Sequence, residues 1–294
     1  MKAKHMTLHS TFRTAARTTT PFALWQTLGF VKRIPSYWRL DRSEALRIRN
    51  RTPGLPLYVK NGLTVFPPES VTAYLNWQHH GIEINESSVE AREFLELSKN
   101  RMALIDIGAQ TGFMSALFAR SRPHACHILS VEPDPQVLPL LERAIALNTG
   151  PHIDWKIMAV AVSDMSGRLI MPISNRLHEH AMKAFKASDV DVPVTTLSDL
   201  LTTIDWQPDI MKIDVESFEH EVLCSSLLVI ERLKPALQLE VHWQMLERRG
   251  RNAIDFLEPL ASIGYRGLRR QYRDLHAWMR AGRSEAVSRL AIST

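Results

Sequence analysis

Short apolar runs, separated by segments with helical periodicity, recur along the chain from residue 102 onward. They lie at 102–105, 127–131, 155–162, 209–215 and 237–241, with candidate last strands at 265–268 and 288–292. Short apolar runs bounded by glycine, proline or polar clusters are typical of buried strands. Because strands that alternate with helices form βαβ units, the pattern predicts a doubly wound α/β fold with a mostly parallel sheet.

Between the strands, the polar and apolar positions indicate helices and one irregular stretch. Thr196 and Asp199 have the spacing of a capping box at the start of a short helix. The apolar residues within 244–263 predict a longer helix that a glycine ends. Residues 163–193 show no clear period, so we interpret them as an insertion, with a short strand resuming at 192–195.

The chain before residue 101 is organised differently. We divide the protein into a basic N-terminal extension over 1–54, a cap segment over 55–100 and the α/β domain over 101–294. An Asn61-Gly62 pair lies between two strand-like runs, which predicts a β-hairpin within 55–66. Helices are predicted over 69–80 and from Ser87 or Ser88 onward. We expect the cap segment to cover the mouth of a cleft in the α/β domain.

Positive charge is concentrated at the two ends of the chain. Residues 1–40 carry seven Lys and Arg and no acidic residue, whereas the whole chain has a formal net charge of only +5. Basic ends on an acidic body do not indicate nucleic-acid binding, so we predict no nucleic-acid partner. The basic amphipathic pattern over 21–40 is typical either of a helix on an anionic membrane surface or of a helix docked on the domain.

The two cysteines, Cys126 and Cys224, show neither a metal-ligand spacing nor a disulfide framework. We interpret both as buried thiols in a reducing compartment, which favours a cytoplasmic location. No apolar run of the sequence approaches the ~20 residues of a membrane-spanning helix. Residues 1–20 lack the apolar stretch of a secretory signal, and their Arg- and Thr-rich composition without acids resembles an organelle transit segment.

The segment DIGAQTG, at 106–112, is the predicted ligand-binding turn between the first strand and its helix. Its glycines permit a sharp bend and the close approach of a ligand. The spacing differs from the G-x-G-x-x-G pattern of dinucleotide folds, and an acid at this place would repel a diphosphate. The same acid would attract the cationic part of S-adenosylmethionine. We therefore assign Asp106, Gly108, Ala109 and Gly112 to the binding of that cofactor.

Two further strand ends complete the expected cofactor site. Glu132, followed by Pro133, lies 24 residues after Gly108, where an acid accepts hydrogen bonds from the ribose hydroxyls of a bound nucleoside. Ala161 and Asp164 belong to the end of the third strand, where an apolar residue and a polar neighbour could contact adenine and its amino group. The same local pattern is equally typical of a strand that ends in an ordinary turn without any ligand contact.

A cluster of charged residues follows the fourth and fifth strands. Lys212, Asp214 and Glu216 share one strand face, where charges are costly unless they are paired or functional. Lys212 and Asp214 could pair with each other, but we favour a functional cluster. We predict His242 as a general base, with Asp214 or Glu240 orienting it or holding the acceptor. Carboxylates are preferred ligands of hard divalent cations such as Mg²⁺ and Ca²⁺. Because the sequence has no recognisable metal-binding loop, we predict no bound metal.

Seven segments occur in a characteristic order within about residues 101–268: DIGAQTGF, SVEPDP, ALNTG, AVAVSD with a following Gly167, PVTTLSDLL, MKIDVESFEHEVL and LQLEVH. This order resembles the FkbM-type methyltransferases. The resemblance implies a seven-stranded, Rossmann-like class I methyltransferase fold that binds S-adenosylmethionine. It also implies methyl transfer, usually to an oxygen of a sugar, a polyketide or a related small molecule.

By position, the resemblance matches Glu132 to the ribose acid, Asp164 to the acid after the third strand, and Asp214, Glu216 and Glu219 to an acidic stretch of the family. The chain departs from the family pattern at Gln110, where Asn is common, and at Ser217, where glycine is common.

We therefore predict an S-adenosylmethionine-dependent methyltransferase that methylates a hydroxyl group of a small molecule or glycan. The alternatives are a catalytically silent nucleoside-binding or membrane-surface protein and, less favoured, a nicotinamide-dependent oxidoreductase. Neither the acceptor nor the oligomeric state is encoded in a recognisable motif.

Overall fold

The computed structural model of the protein describes residues 57–59, 63–68, 73, 77, 89–173, 188–267 and 288–294. The strands in chain order are β1 (Leu57–Val59), β2 (Leu63–Val65), β3 (Ala103–Ile107), β4 (Cys126–Val131), β5 (Ile153–Met158), β6 (Ala161–Ser163), β7 (Gly167–Ile173), β8 (Ser188–Thr196), β9 (Ile210–Ile213), β10 (Ala236–Val241), β11 (Arg266–Gly267) and β12 (Ser288–Ser293). The helices are α1 (Val89–Leu97), α2 (Phe113–Arg120), α3 (Leu138–Asn148), α4 (Leu197–Leu201), α5 (Glu219–Leu233), α6 (Trp243–Arg248) and α7 (Ile254–Ser262).

The centre of the fold is a seven-stranded sheet in the order β11-β12-β10-β9-β3-β4-β5. Within this sheet, β10, β9, β3, β4 and β5 run parallel to one another, and β12 is antiparallel to both β10 and β11. The strand order reverses direction beside β3, so the predicted doubly wound, mostly parallel sheet of seven strands is confirmed. In such a sheet the ligand-binding crevice lies at the carboxyl ends of the strands, where the order reverses.

Apolar side chains cover both faces of this sheet, and each face has its own hydrophobic core. Leu104 of β3 packs on one side with Phe94 of α1 and Phe118 of α2. Ile105, the next residue of β3, packs on the other side with residues of α5 and α7. Strand side chains alternate between faces, so the continuous apolar runs of the sequence reflect a sheet buried on both sides.

A second sheet, in the order β6-β8-β7, occupies the region that we interpreted as an insertion without a period. β7 and β8 pair antiparallel from Gly167↔Val194 to Ile173↔Ser188, so the described part of 163–193 contains strands that the sequence pattern did not predict. The predicted third strand, 155–162, is likewise two strands, because the chain leaves the main sheet after Met158 and enters the second sheet at Ala161. The Thr196 side chain does accept a hydrogen bond from the Asp199 N–H, as expected of a helix cap.

The predicted helix over 244–263 is also two helices, α6 and α7. The chain turns at 249–253, and Gly250 has a φ of 68° that a helix interior does not permit. Among the described residues, no helix has the length and apolar character needed to cross a membrane.

Parts of the cap segment pack directly on the α/β domain. β1 and β2 pair antiparallel, as the hairpin prediction requires, while the Asn61-Gly62 turn itself lies outside the described residues. The Trp77 indole is fully buried and donates a hydrogen bond to Thr111 Oγ1 over 2.8 Å. The predictions for 1–54, for most of the helix over 69–80 and for the capping residues at 87–88 concern residues that are not described.

Candidate active site

A cavity of about 310 Å³ opens at the carboxyl ends of the central strands. Its volume lies within the usual range of small-molecule sites, about 300–1,000 Å³. The residues that line it come from the ends of β3, β4, β9 and β10, from the β6–β7 region and from α1: Glu90, Ile107, Gly108, Ala109, Gln110, Phe113, Met114, Val131, Glu132, Pro133, Asp134, Gln136, Val137, Val160, Ala161, Val162, Ser163, Leu169, Met171, Lys212, Asp214, Val215, Glu216, Phe218 and Glu240.

The glycine turn after β3 forms one wall of this cavity. Gly108 and Ala109 donate backbone hydrogen bonds to the Val131 carbonyl at 2.9 and 3.1 Å, which holds the turn against the end of β4. Gly108 has a φ of 78°, and a Cβ atom there would lie 1.8 Å from the Asp214 carbonyl oxygen. Residue 108 must therefore be glycine for both its conformation and its space. Gly108 and Ala109 both line the cavity, and their assignment to cofactor binding stays a prediction.

Glu132 lies beside this turn and is fixed by the backbone. Its Oε2 accepts a hydrogen bond from the Gln110 N–H at 2.8 Å, and its Oε1 accepts one from the Asp134 N–H at 2.9 Å. Burial raises the pKa of Glu132 to about 7, and these two N–H donors offset part of the effect. A carboxylate accepts about four hydrogen bonds, so Glu132 can still accept two from hydroxyl groups in the cavity.

Asp106 is not among the residues that line the cavity, so the predicted contact of its carboxylate with a cofactor is not supported. The side chain is fully buried, accepts a hydrogen bond from Ser115 Oγ of α2 at 2.6 Å, and lies 3.8 Å from Lys212 Nζ. The alternation of side chains along β3 turns Asp106 onto the face that α2 covers. Burial raises the pKa of Asp106, and Lys212 and Ser115 only partly counter that effect.

Two other predicted cofactor residues have structural positions instead. Gly112 has a φ of 85°, and a Cβ atom there would lie 2.6 Å from the Leu141 side chain, so glycine permits α2 to approach α3. Asp164 is exposed and accepts a hydrogen bond from Ser163 Oγ, outside the cavity wall. Pro133 and Ala161, which we assigned to the cofactor site, line the cavity, and Ser163 lines it where Asp164 was expected.

The other end of the cavity is lined by carboxylates that are held by two cations. Lys212 Nζ donates hydrogen bonds to Asp214 Oδ2 at 3.0 Å and to the Gly108 carbonyl at 3.1 Å. Lys212 therefore links the loop that follows β3 to the loop that follows β9. Burial disfavours the charge of Lys212, but Asp214 and Asp106 outweigh it and raise the Lys212 pKa. Lys212 and Asp214 therefore pair with each other, and both line the cavity with Glu216; a function for this cluster stays a prediction.

Glu240 and Glu90 face the same end and share Arg289 of β12. The guanidinium donates to both carboxylate oxygens of Glu240, at 2.9 and 3.1 Å, and its Nε lies 3.1 Å from Glu90 Oε2. Burial and the charge of Asp214 raise the pKa of Glu240 to about 7, against the opposing effect of Arg289. A carboxylate with such a pKa can both accept and release a proton near neutral pH.

His242 lies behind the cavity wall, and the prediction that it is the general base is not supported. The buried ring places Nδ1 2.7 Å from Glu219 Oε1 and Nε2 3.3 Å from Glu216 Oε2. Burial opposes the imidazolium charge, but the hydrogen bond and charge of Glu219, with Asp214 and Glu216, raise the His242 pKa to about 9. His242 is thus protonated at neutral pH, and it ties two carboxylates together instead of accepting a proton.

One group of described residues has the composition of a metal site. Asp214, Glu240 and His242 each offer a ligand atom, and these atoms lie within 4.8 Å of one another. Each is already engaged within the chain, Asp214 by Lys212, Glu240 by Arg289 and His242 by Glu219. The absence of a bound metal stays a prediction.

Several cavity residues were not predicted, and the sequence carries only weak signals for them. Leu169 and Met171 alternate along β7 with the exposed Ile170, but the surrounding residues have no polar alternation to mark a strand. Glu90 lies in the first turn of α1, where an acidic residue is common for reasons of helix stability alone. Phe218 follows the acidic stretch, where its position gives no indication of its role.

Comparisons with known proteins identify the family of the chain. A family model described as "Methyltransferase FkbM domain" matches residues 106–281, which is more than half of the chain. No curated protein matches the chain.

Among solved structures, the chain is similar to a methyltransferase FkbM from Methylobacillus flagellatus KT, with 16% identity, a TM-score of 0.38, and coverage of 66% of this chain and 44% of that one. It is similar to a putative SAM-dependent methyltransferase from Streptococcus mutans, with 11% identity, a TM-score of 0.42, and coverage of 82% and 56%. It is also similar to an O-methyltransferase from Bacillus cereus in complex with SAH, with 10% identity, a TM-score of 0.38, and coverage of 76% and 87%. The chain thus spans less than half the length of the Methylobacillus protein.

Proposed function

The chain belongs to the FkbM methyltransferase family, and from that membership we propose that it transfers a methyl group from S-adenosylmethionine to a hydroxyl group of a small molecule or glycan. The observation that carries the proposal is the position of Glu132. Its carboxylate faces the cavity beside the glycine turn and is oriented by two backbone N–H groups.

The residues around Glu132 fit the chemistry of the proposed cofactor. Glu132 would accept hydrogen bonds from the ribose hydroxyls. Pro133, Ala161 and Leu169 supply apolar surface for the adenine. When bound, the cofactor supplies an electrophilic methyl group on a positively charged sulfur. The carboxylate of Asp214, at the other end of the cavity, would stabilise that positive charge, a role that the sequence analysis assigns to Asp106.

We propose Glu240 as the group that accepts the hydroxyl proton of the acceptor. It lines the cavity, whereas His242 lies behind the wall and already carries a proton at neutral pH. Arg289 holds both carboxylate oxygens of Glu240 in place. The Glu240 pKa of about 7 suits a general base at neutral pH. Alignment of the acceptor oxygen with the methyl group would supply the rest of the acceleration.

The charge of the cavity limits the class of acceptor. Six carboxylates line it, and Lys212 is the one cation among the described lining residues. Like charges repel strongly where solvent is partly excluded. We therefore propose a neutral or positively charged acceptor, and exclude one with a phosphate or carboxylate near the reacting hydroxyl. The same argument disfavours the diphosphate of a nicotinamide cofactor.

The proposed activity is tested with S-adenosylmethionine that carries a labelled methyl group and a matched set of glycosides that are neutral, aminated or carboxylated. We expect label on an oxygen of the neutral or aminated member and none on the carboxylated one, as measured by mass spectrometry of the products. E240Q should lower kcat strongly and leave the affinity for S-adenosylhomocysteine unchanged, and E247Q, at an exposed position, is the control. Label found only on nitrogen, or full activity of E240Q, would contradict the proposal.

The remaining partner assignments stay predictions. They are the absence of nucleic acid, the contact of the basic N-terminal segment with a membrane surface, and the cytoplasmic location.

A further inference from the structure

The loop between β9 and α5 contains two neighbouring residues in an unfavourable backbone conformation. Glu216 has a φ of 51° and Ser217 a φ of 85°, both in the left-handed region. Residues other than glycine rarely adopt this region, because the Cβ atom collides with the backbone. Such conformations persist where surrounding contacts impose them, and they cluster at functional sites. The two residues on either side of Ser217, Glu216 and Phe218, line the cavity.

Arg249, at the end of α6, contacts this loop from outside the cavity. Its Nη1 donates a hydrogen bond to the Ser217 carbonyl oxygen, and its guanidinium carbon lies 3.9 Å from the centre of the Phe218 ring. The same guanidinium holds both carboxylate oxygens of Glu221, at 2.8 and 3.2 Å. One side chain therefore fixes the carbonyl of the strained residue, the ring that follows it, and the first turn of α5.

We propose that Arg249 is a positioning residue that holds Ser217 in its left-handed conformation. In this way it positions Glu216 and Phe218 at the end of the cavity that Glu240 lines, where we place the acceptor. The role in the reaction rests on the proposed function, but the effect on the loop does not. Arg249 is not among the cavity-lining residues, so it acts through the loop and not on the ligand.

A second set of contacts holds the backbone N–H of Ser217. Glu219 Oε1 accepts hydrogen bonds from the Ser217 N–H at 2.9 Å and from His242 Nδ1 at 2.7 Å. The Ser217 N–H and carbonyl are thus both fixed by buried or half-buried charged side chains. The carbonyl contact comes from Arg249, so loss of that side chain should release one half of the constraint.

The chain contains a matched control. Arg251 also donates a hydrogen bond to Glu221, with its Nε 3.0 Å from Oε1, but within the described residues it contacts neither the Ser217 carbonyl nor the Phe218 ring. If Arg249 only braced α5 against the segment after α6, Arg251 would be its equivalent. If Arg249 positions the loop, the two residues should differ, and glycine at position 217 should remove the need for Arg249.

The test measures amide hydrogen exchange over 214–219 in the free protein for R249M, R251M, S217G and the double variant R249M/S217G. We expect exchange over these residues to rise by roughly tenfold in R249M, the factor set by the strain of one left-handed residue. It should stay at the wild-type level in R251M and return towards that level in the double variant. In the methyl-transfer assay, R249M should raise the acceptor KM more than the KM for S-adenosylmethionine.

Unchanged exchange in R249M, an equal effect in R251M, or no rescue by S217G would overturn the proposal. If R249M does not fold, R249K with and without S217G replaces it, because lysine keeps the charge and loses the planar, two-pronged contact. A protein that binds no S-adenosylhomocysteine would refute the proposed function, and the exchange result would still decide the role of Arg249.

Discussion

The carbonyl oxygen of Asp214 lies against Gly108, 1.8 Å from the point that a Cβ atom on residue 108 would occupy. The contact brings together the loops that follow β3 and β9. Asp214 N–H also donates to the Ile107 carbonyl at 3.0 Å, and Lys212 joins the Gly108 carbonyl to the Asp214 side chain. The shape of the cavity wall therefore depends on the absence of a side chain at position 108.

The variant G108A tests this dependence. An added methyl group would collide with the backbone of Asp214, which cannot move without breaking its contact with Lys212. We expect a loss of roughly 2–4 kcal/mol in unfolding free energy, as for strongly overpacked sites, and no measurable binding of S-adenosylhomocysteine. G250A is the control, since Gly250 also has a positive φ but open space around its Cβ position. An equal loss in both variants would assign the effect to φ alone.

The isosteric variant E132Q tests the ribose-binding role. It replaces one acceptor oxygen with an amide that must face the N–H of Gln110 or Asp134, or turn towards the ligand. Because charged hydrogen bonds contribute about 1.5–3 kcal/mol, the Kd for S-adenosylhomocysteine should rise by roughly 10- to 150-fold. E142Q, at an exposed position of α3, should leave that Kd unchanged. A normal Kd in E132Q would remove Glu132 from the site.

The sequence predicted the main sheet well because each of its strands is a short apolar run buried on both faces. It predicted less where the outcome depends on distant segments. The chain leaves the main sheet after Met158, although apolar residues continue to Val162. No local pattern marks that exit, because the partner of β6 is β8, more than 25 residues further along the chain.

The candidate site, too, was predictable only in its local features. Gly108 and Glu132 were predictable because the turn and the strand end are local features. Asp106 was assigned from its closeness to the glycine turn in sequence, but the alternation of side chains along β3 places it on the face opposite Ile107, away from the cavity. The state of His242 depends on Glu219, which belongs to a different helix and lies 2.7 Å away only in the folded chain.

The variant D106N tests the structural role of that buried carboxylate. Loss of its charge leaves Lys212 and Ser115 with a poorer partner in a fully buried site. We expect the unfolding free energy to fall by about 1–3 kcal/mol, with a clear decrease in Tm, and the Kd for S-adenosylmethionine to change less than in D214N. D205N, at an exposed position, is the control. A large loss of affinity in D106N without loss of stability would restore Asp106 to the cofactor site.

The free protein should become less stable as the pH rises from 6.5 to 9. His242 is charged more readily in the folded than in the unfolded chain, because its pKa is raised from 6.5 to about 9. This stabilisation is complete below pH 6.5 and is lost as the pH rises through 9. Glu132 and Glu240, with pKa values raised from 4.5 to about 7, act in the same direction up to about pH 7.

Thermal unfolding in a series of buffers checks this pH dependence. Tm of the wild type should fall between pH 6.5 and 9. The fall should be smaller in H242Q, because this variant lacks the side chain whose pKa is raised from 6.5 to about 9. A Tm that rises with pH in the wild type, or an identical slope in H242Q, would contradict the assignment of a protonated His242.

The most direct test of the whole account is calorimetric titration of the wild-type protein with S-adenosylhomocysteine and, separately, with NADH. We predict one molecule of S-adenosylhomocysteine bound per chain and no measurable binding of NADH, because the carboxylates of the cavity accept a nucleoside with a cationic or neutral substituent and repel a diphosphate. Binding of NADH, or no binding of S-adenosylhomocysteine, would contradict the account.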